Sequence, residues 1–406
     1  MSWRVLTIGE LVDGGAADIQ TGPFGTQLKA RQYVEDGTPV INVRNIGYGG
    51  LKPDKLEFVS EETTERLVSH LLEPDDIVFG RKGAVDRHLR VTEDQAQWLQ
   101  GSDCIRLRLL TDDVIPRFAS YSFLTIAHQK WMLTQSGNKA TMASLNHDII
   151  KRISLRLPAS VVQRRIVGIL ATYDDLIDNN RRRMALLEES ARLLYREWFV
   201  RLRFPGHEHT RITDGVPEGW ERTTLGDLCE EIRETVSPDT LAPDTPYIGL
   251  EHMPRRSISL NDWGTVEQVT SSKHRFRAGE ILFGKIRPYF HKVGVAFVDG
   301  VASSDAIVIR PVDETLHGLV LMTVSSDEFV AVTSQSMKEG SKMPRADWKQ
   351  MQAYSVPLPS SGLLSTFDSV IQPIVAQLKA LTFANQKLRA ARDLLLPRLM
   401  SGEITV

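Results

Sequence analysis

Two stretches of this chain carry an apolar seam of coiled-coil spacing, and the second repeats the first position for position. The first seam runs through Ile166, Leu170, Tyr173, Ile177, Asn180, Met184, Leu187, Ala191, Leu194 and Trp198, with steps alternating four and three. The second runs through Phe367, Ile371, Ile374, Leu378, Leu381, Asn385, Leu388, Arg392, Leu395 and Leu399, each 201 residues after its counterpart. A seam held over more than four heptads predicts a long helix with one buried stripe. The remaining faces are polar, as at Arg181, Arg182 and Glu188, so the simplest cover for one stripe is the other. The expectation is an antiparallel intramolecular coiled coil. Asn180 and Asn385 occupy seam positions, where a polar side chain costs stability and fixes register. Two surface helices on separate domains are the weaker reading, because roughly 38 residues at about 1.5 Å each reach about 57 Å, longer than a small domain.

The duplication extends beyond the helices. Ile77-Val78-Phe79-Gly80-Arg81 recurs as Ile281-Leu282-Phe283-Gly284-Lys285, and Ile153-Ser154-Leu155-Arg156-Leu157-Pro158 as Tyr354-Ser355-Val356-Pro357-Leu358-Pro359. The chain therefore reads globe, helix, globe, helix: a first domain over 1–157, a spacer helix over 158–203, a linker with the second domain over 204–358, and a distal helix over 359–406. Short apolar runs broken by Gly, Asn, Asp and Pro, such as 39–43, 104–108, 246–250 and 306–310, predict strands; 115–135 and 314–333 have helical periodicity. Each globe is thus α+β, with an internal pseudo-two-fold repeat. Phe204-Pro205-Gly206 ends the first helical rhythm.

At 406 residues, 42% hydrophobic and 25% charged, each half can bury its own core. Cys104 and Cys229 have no metal-type spacing and read as free thiols of a reduced, cytoplasmic protein. No apolar run reaches the length of a membrane span. The net charge of −2 gives no general affinity for nucleic acid, so any such contact must come from local basic faces. One near miss to a phosphate loop, Gly279 to Ile286, has Ile286 where the magnesium-binding hydroxyl belongs, and the first copy has Asp75 in place of the leading glycine. Nucleotide hydrolysis is rejected there, and no residue set for catalysis or metal binding stands out. What does recur is a basic loop after each "FG". Arg81, Lys82, Arg87 and His88 follow the first, and Lys285, Arg287, Tyr289 and Lys292 the second; these donors suit base edges or phosphates. Lys139 and Lys342 recur in Gly-containing loops before the last strand of each copy. Gly22-Pro23-Phe24-Gly25 has no second copy and is either a tight turn or a close backbone approach.

The whole pattern resembles the specificity subunit of Type I restriction-modification enzymes. Gly22-Pro23-Phe24-Gly25, Leu176-Ile177-Asp178-Asn179-Asn180-Arg181-Arg182, Tyr195-Arg196-Glu197-Trp198-Phe199, Val216-Pro217-Glu218-Gly219-Trp220 and the terminal Leu395-Leu396-Pro397-Arg398-Leu399-Met400-Ser401-Gly402-Glu403 carry the likeness. The resemblance implies a non-catalytic reader of double-stranded DNA. Each globe would be a target recognition domain for one half of a bipartite sequence, and the helices a ruler for the gap. It also implies that the helices dock two methyltransferase subunits, with Tyr173, Ile177, Tyr195, Trp198, Leu381, Leu388 and Leu395 as the expected contacts. No cofactor is expected on this chain: S-adenosylmethionine would sit on the methyltransferase partner, and ATP and magnesium on a restriction partner. The competing reading is a coiled-coil scaffold joining two protein-binding domains.

Overall fold

The computed structural model describes residues 3–52, 55–136, 144–335 and 344–406. The fold divides into two compact units, Met1–Asp175 with Leu388–Val406, and Leu176–Lys387.

The first unit contains β1 (Arg4–Thr7), β2 (Ala17–Thr21), β3 (Tyr48–Gly49), β4 (Ile77–Gly80), β5 (His88–Arg90), β6 (Cys104–Leu109) and β7 (Ser154–Leu157). Five of these form one sheet in the order β2-β6-β4-β5-β3. All its pairs are antiparallel except the parallel edge pair of β3 with β5. β1 and β7 pair antiparallel, with Arg4 opposite Leu157. Every residue of β4 is buried, which is why Ile77-Val78-Phe79-Gly80 reads as an unbroken apolar run. Two helices follow, α1 (Pro116–Phe123) and α2 (Ile126–Ser136). Pro116 opens α1 in the first turn, where its missing N–H costs nothing. Phe123 packs on Phe79 with ring centroids 5.5 Å apart.

The long helix α3 (Ser160–Tyr195) continues into a π turn over Arg196–Val200, where neighbouring Trp198 and Phe199 are both buried. In the second unit, β8 (Glu221–Thr224), β9 (Cys229–Ile232), β10 (Ser259–Leu260), β11 (Ile281–Gly284), β12 (Val293–Ala296), β13 (Ala306–Pro311) and β14 (Ser355–Leu358) repeat the scheme. The sheet order is β9-β13-β11-β12-β10, again with one parallel edge pair, β10 with β12, and β8 pairs with β14. Helices α4 (His317–Val324) and α5 (Asp327–Gln335) take the places of α1 and α2, and α6 (Ser361–Ser401) closes the chain.

The seam residues of α3 and α6 face one another within each unit. In the first, Ile166 and Leu170 share a core with Leu396, Leu399 and Met400, and Asp174 accepts a hydrogen bond from Arg392 at 2.8 Å. In the second, Asn180 donates to Asn385 at 2.9 Å, and Phe199 meets Phe367 with centroids 4.8 Å apart. In both, α3 advances as α6 runs back, so the helices are antiparallel. One expectation needs correcting. Glu188, assigned to the polar outer face, is buried, and its carboxylate accepts from Ser257 at 2.7 Å and Ser259 at 2.6 Å. The segment entering β10 covers that face of α3, and its hydroxyls replace the water a buried carboxylate would lose.

Cys104 and Cys229 are free and buried. Burial, and then the neighbouring Glu230 charge, push the Cys229 thiol up to about 12. Among the described residues no helix is long and apolar enough to cross a membrane.

Candidate nucleic-acid interface

In each unit the basic loop joins the third and fourth strands of the sheet, and backbone hydrogen bonds fix its base. The Arg81 amide donates to the Asp103 carbonyl at 2.7 Å, and the Arg81 carbonyl accepts from Leu145 at 2.7 Å. In the second unit Lys285 donates to Asp305 at 2.7 Å and accepts from Ala346 at 2.8 Å. Lys82 bridges Ser144 as Ile286 bridges Arg345. The two loops therefore leave their sheets with the same three-way junction.

Beyond that junction the side chains diverge. Lys82 is exposed and lies 3.6 Å from Asp103, an open pair of little energetic weight. Arg87 lies over the Tyr48 ring, 5.1 Å from its centroid, while Tyr48 donates to Asp86 at 2.7 Å. Tyr48 is 50% exposed. In the second unit Arg287 is exposed, with a left-handed φ of 50°, and its amide donates to Pro344 at 2.9 Å. Tyr289 is 52% exposed and meets Phe290 edge-on at 5.0 Å. Lys285 is half-buried and donates to the Ser304 carbonyl at 3.2 Å, with Glu231 at 3.9 Å.

Several sequence-assigned contacts lie elsewhere. His88 is 1% exposed; it shares a hydrogen bond with Ser120 at 2.8 Å and packs on Phe79 and Phe123. Burial, and then the nearby His128, push its pKa down to about 3, so it is a neutral core residue and not a surface donor. It is the first residue of β5, whose alternation turns it inward. Lys292 is half-buried and donates to the Leu250 carbonyl, and burial followed by the Arg255 charge lowers its pKa. Lys139 and Lys342 lie outside the described residues. The expected docking residues Ile177, Tyr195, Trp198 and Leu381 are buried in the chain's own core, and Tyr173, Leu388 and Leu395 are half-buried. Seam spacing marks the stripe that faces inward, so the four buried side chains are not free for a partner.

Gly22 is explained by close approach. A Cβ there would sit 1.9 Å from the Gly101 carbonyl oxygen, while the Gly22 amide donates to Cys104 at 2.9 Å. The loop is clamped to the turn carrying Asp103, and Phe24, two residues on, is 63% exposed. Sequence reading missed two further residues of this surface, Tyr48 and Arg255. Tyr48 lies in the edge strand β3 and Arg255 in the segment leading into the edge strand β10, and neither stretch has a local motif.

Residues 2–189 match the family described as "Type I restriction modification DNA specificity domain". The chain is 21% identical over 317 residues to the specificity subunit of Type I restriction enzyme MjaIX from Methanocaldococcus jannaschii, covering 73% of this chain and 70% of the relative. It is 22% identical over 254 residues to the specificity subunit of Type I restriction enzyme EcoDI from Escherichia coli, covering 56% of each. Its fold matches the S subunit of a Type I restriction-modification system from M. genitalium with a TM-score of 0.59 at 14% identity, over 98% of this chain and 96% of that one. The duplicated sheet, the antiparallel helices and these likenesses agree: residues 2–189 match a Type I restriction modification DNA specificity domain, and the chain as a whole is similar in sequence and fold to Type I restriction-modification specificity subunits.

Proposed function

We propose that each unit reads one half of a bipartite double-stranded DNA sequence, and that the chain is a non-catalytic subunit directing adenine methylation or cleavage by its partners. The observation that carries this is the pair of identically anchored loops, each bearing an arginine, Arg87 or Arg287, with no carboxylate partner among the described residues. Other arginines of the fold, such as Arg106, Arg108 and Arg310, are tied into ion pairs; one without such a pair on each of the two loops is available to an external acceptor. A net charge of −2 limits nonspecific attraction and puts the weight on these local contacts.

The outward faces of the long helices supply a place for the partners. Ile169 and Leu394 are exposed in the first unit, Leu193 and Val370 in the second. Val370 follows Ile169, and Leu394 follows Leu193, by the same 201 residues that relate the seams. Two equivalent apolar patches suit two copies of a methyltransferase subunit carrying S-adenosylmethionine. A restriction subunit using ATP and magnesium would join that assembly in the cytoplasm.

The test is to co-express the chain with its methyltransferase partner and map adenine methylation. A two-part target, with affinity that falls steeply as salt rises, is expected. A scaffold joining protein-binding domains would give neither, and that outcome would refute the proposal.

A further inference from the structure

Superimposed by sequence, Arg87 matches the loop Arg287 to Lys292; superimposed by topology, its counterpart is a residue from another part of the chain. In the first unit a cation–π pair joins the β4–β5 loop to the edge strand: Arg87 of the loop covers Tyr48 of β3. In the second unit a cation–π pair joins the β11–β12 loop to the segment entering the edge strand β10, and the roles are exchanged. The loop supplies the ring, Phe290, and the edge segment supplies the cation, Arg255, 4.1 Å from the ring centroid. The same corner of the same sheet order thus carries an arginine on an aromatic ring in both units, built from non-equivalent residues. Recurrence without sequence correspondence points to a requirement at that corner.

The surroundings of Arg255 point the same way. The next residue, Arg256, has a left-handed φ of 54°; its amide donates to the His291 carbonyl at 2.9 Å, and its guanidinium pairs with Asp327 at 2.9 Å. The turn is therefore pinned, while exposed Arg255 has no ion pair among the described residues. Arg287 lies 5.8 Å from the same Phe290 centroid, and Arg255 and Lys292 are close enough for their charges to interact. Two cations share this ring and a third lies near one of them; they repel one another, and a polyanion relieves that repulsion. In the first unit the Arg87 Nε is buried with no hydrogen-bond partner in the described structure. A guanidinium lying on a ring keeps its N–H fork free at the edge and loses little side-chain freedom on binding, which suits bidentate recognition of guanine O6 and N7.

We propose that Arg255 is the base-reading guanidinium of the second unit, the topological counterpart of Arg87, and that it recognises a guanine edge. This rests on the function proposed above. The test uses the full chain assembled with its methyltransferase, comparing wild type with Arg255→Ala and Arg255→Lys by methylation mapping and by DNA binding across a salt series. Thermal melting of each variant shows that it is folded. Arg255→Ala should lower affinity for the intact target on the order of ten- to a hundredfold and relax one position of one half-site. Arg255→Lys should keep the salt slope yet also relax that position, because lysine has no fork. A uniform loss across all sequences, with the salt slope reduced by about one and the target unchanged, would make Arg255 a phosphate contact and overturn the assignment. Unchanged affinity and target would overturn it as well. A wild-type assembly with no selective DNA binding would instead refute the functional proposal, and this one with it.

Discussion

Removing one asparagine of the buried Asn180–Asn385 pair should destabilise the second unit more than removing both. The Asn180 amide donates to the Asn385 carbonyl at 2.9 Å, and both side chains are buried. The Asn385 amide also donates to the Met184 sulfur at 3.9 Å, a weak acceptor. Asn180→Leu leaves the Asn385 carbonyl buried without its donor, and Asn385→Leu strands the donor. Each should cost about 1 to 3 kcal/mol, the desolvation penalty of an unmet polar group. The unit spans Leu176–Lys387, and for a domain of that size each kcal/mol shifts the midpoint by about 2 to 4 °C. The single variants should therefore melt on the order of 2 to 12 °C lower. In the double variant two leucines meet on a seam built for apolar side chains, and stability should return to the wild-type value or exceed it, at the expense of register. Calorimetry on the four proteins of the cycle gives the coupling directly. Neutral single variants, or a coupling below about 0.3 kcal/mol, would show that the pair contributes nothing to the seam.

Duplicating Arg181 to Leu187 together with Thr382 to Leu388 keeps the heptad register and adds about 10 Å to each helix, near three base pairs at about 3.4 Å each. Methylation mapping should return the same two half-sites with a longer gap, and an unchanged gap would show that the helices do not set it. Lys82→Ala and Arg287→Ala should each lower affinity for DNA, and where the side chain holds a phosphate the salt slope should shrink by about one; binding isotherms at several ionic strengths decide this. His88 stays neutral in the folded state down to about 3, whereas unfolded histidine takes up a proton near 6.5. Its contribution is therefore complete above pH 6.5 and falls by roughly 1.4 kcal/mol per pH unit between 6.5 and 3. Denaturant melts of the first unit at pH 7, 6 and 5 should show that slope, and His88→Gln should flatten it.

The seams were legible because a four-three spacing is a property of one helix and needs no knowledge of its neighbour. The repeat of the sheets was legible as recurring words, such as Ile77 to Arg81 and Ile281 to Lys285, although strand order was not. Burial was harder to read. The heptad count puts Glu188 outside, and only the approach of Ser257 and Ser259 brings it in. His88 looked like part of a basic loop because sequence does not say where a loop ends and an inward-facing strand begins. The docking residues were drawn from the seam, yet a side chain packed in the chain's own core is not available to a partner, and the exposed Ile169 and Leu394 carry no motif of their own. The Arg255–Phe290 pair was invisible because its topological twin has the ring and the cation on opposite segments. Pro373 shows the same limit from the other side. It lies inside α6, where a proline normally costs about 3 kcal/mol, and the helix runs through it with the ring exposed.

The core of the first unit is finished by Leu396, Leu399 and Met400, whereas the second unit is one unbroken stretch of chain. Synthesis on the ribosome meets these two layouts in an awkward order. When Asp175 has emerged, Ile166 and Leu170 have no α6 to cover them, and another 212 residues, Leu176–Lys387, must be made first. At about 5 to 20 residues per second that is an interval of roughly 10 to 40 s. The half that is translated first is thus the half that closes last, and its apolar stripe is open to chaperones, or to another nascent chain, for the whole interval.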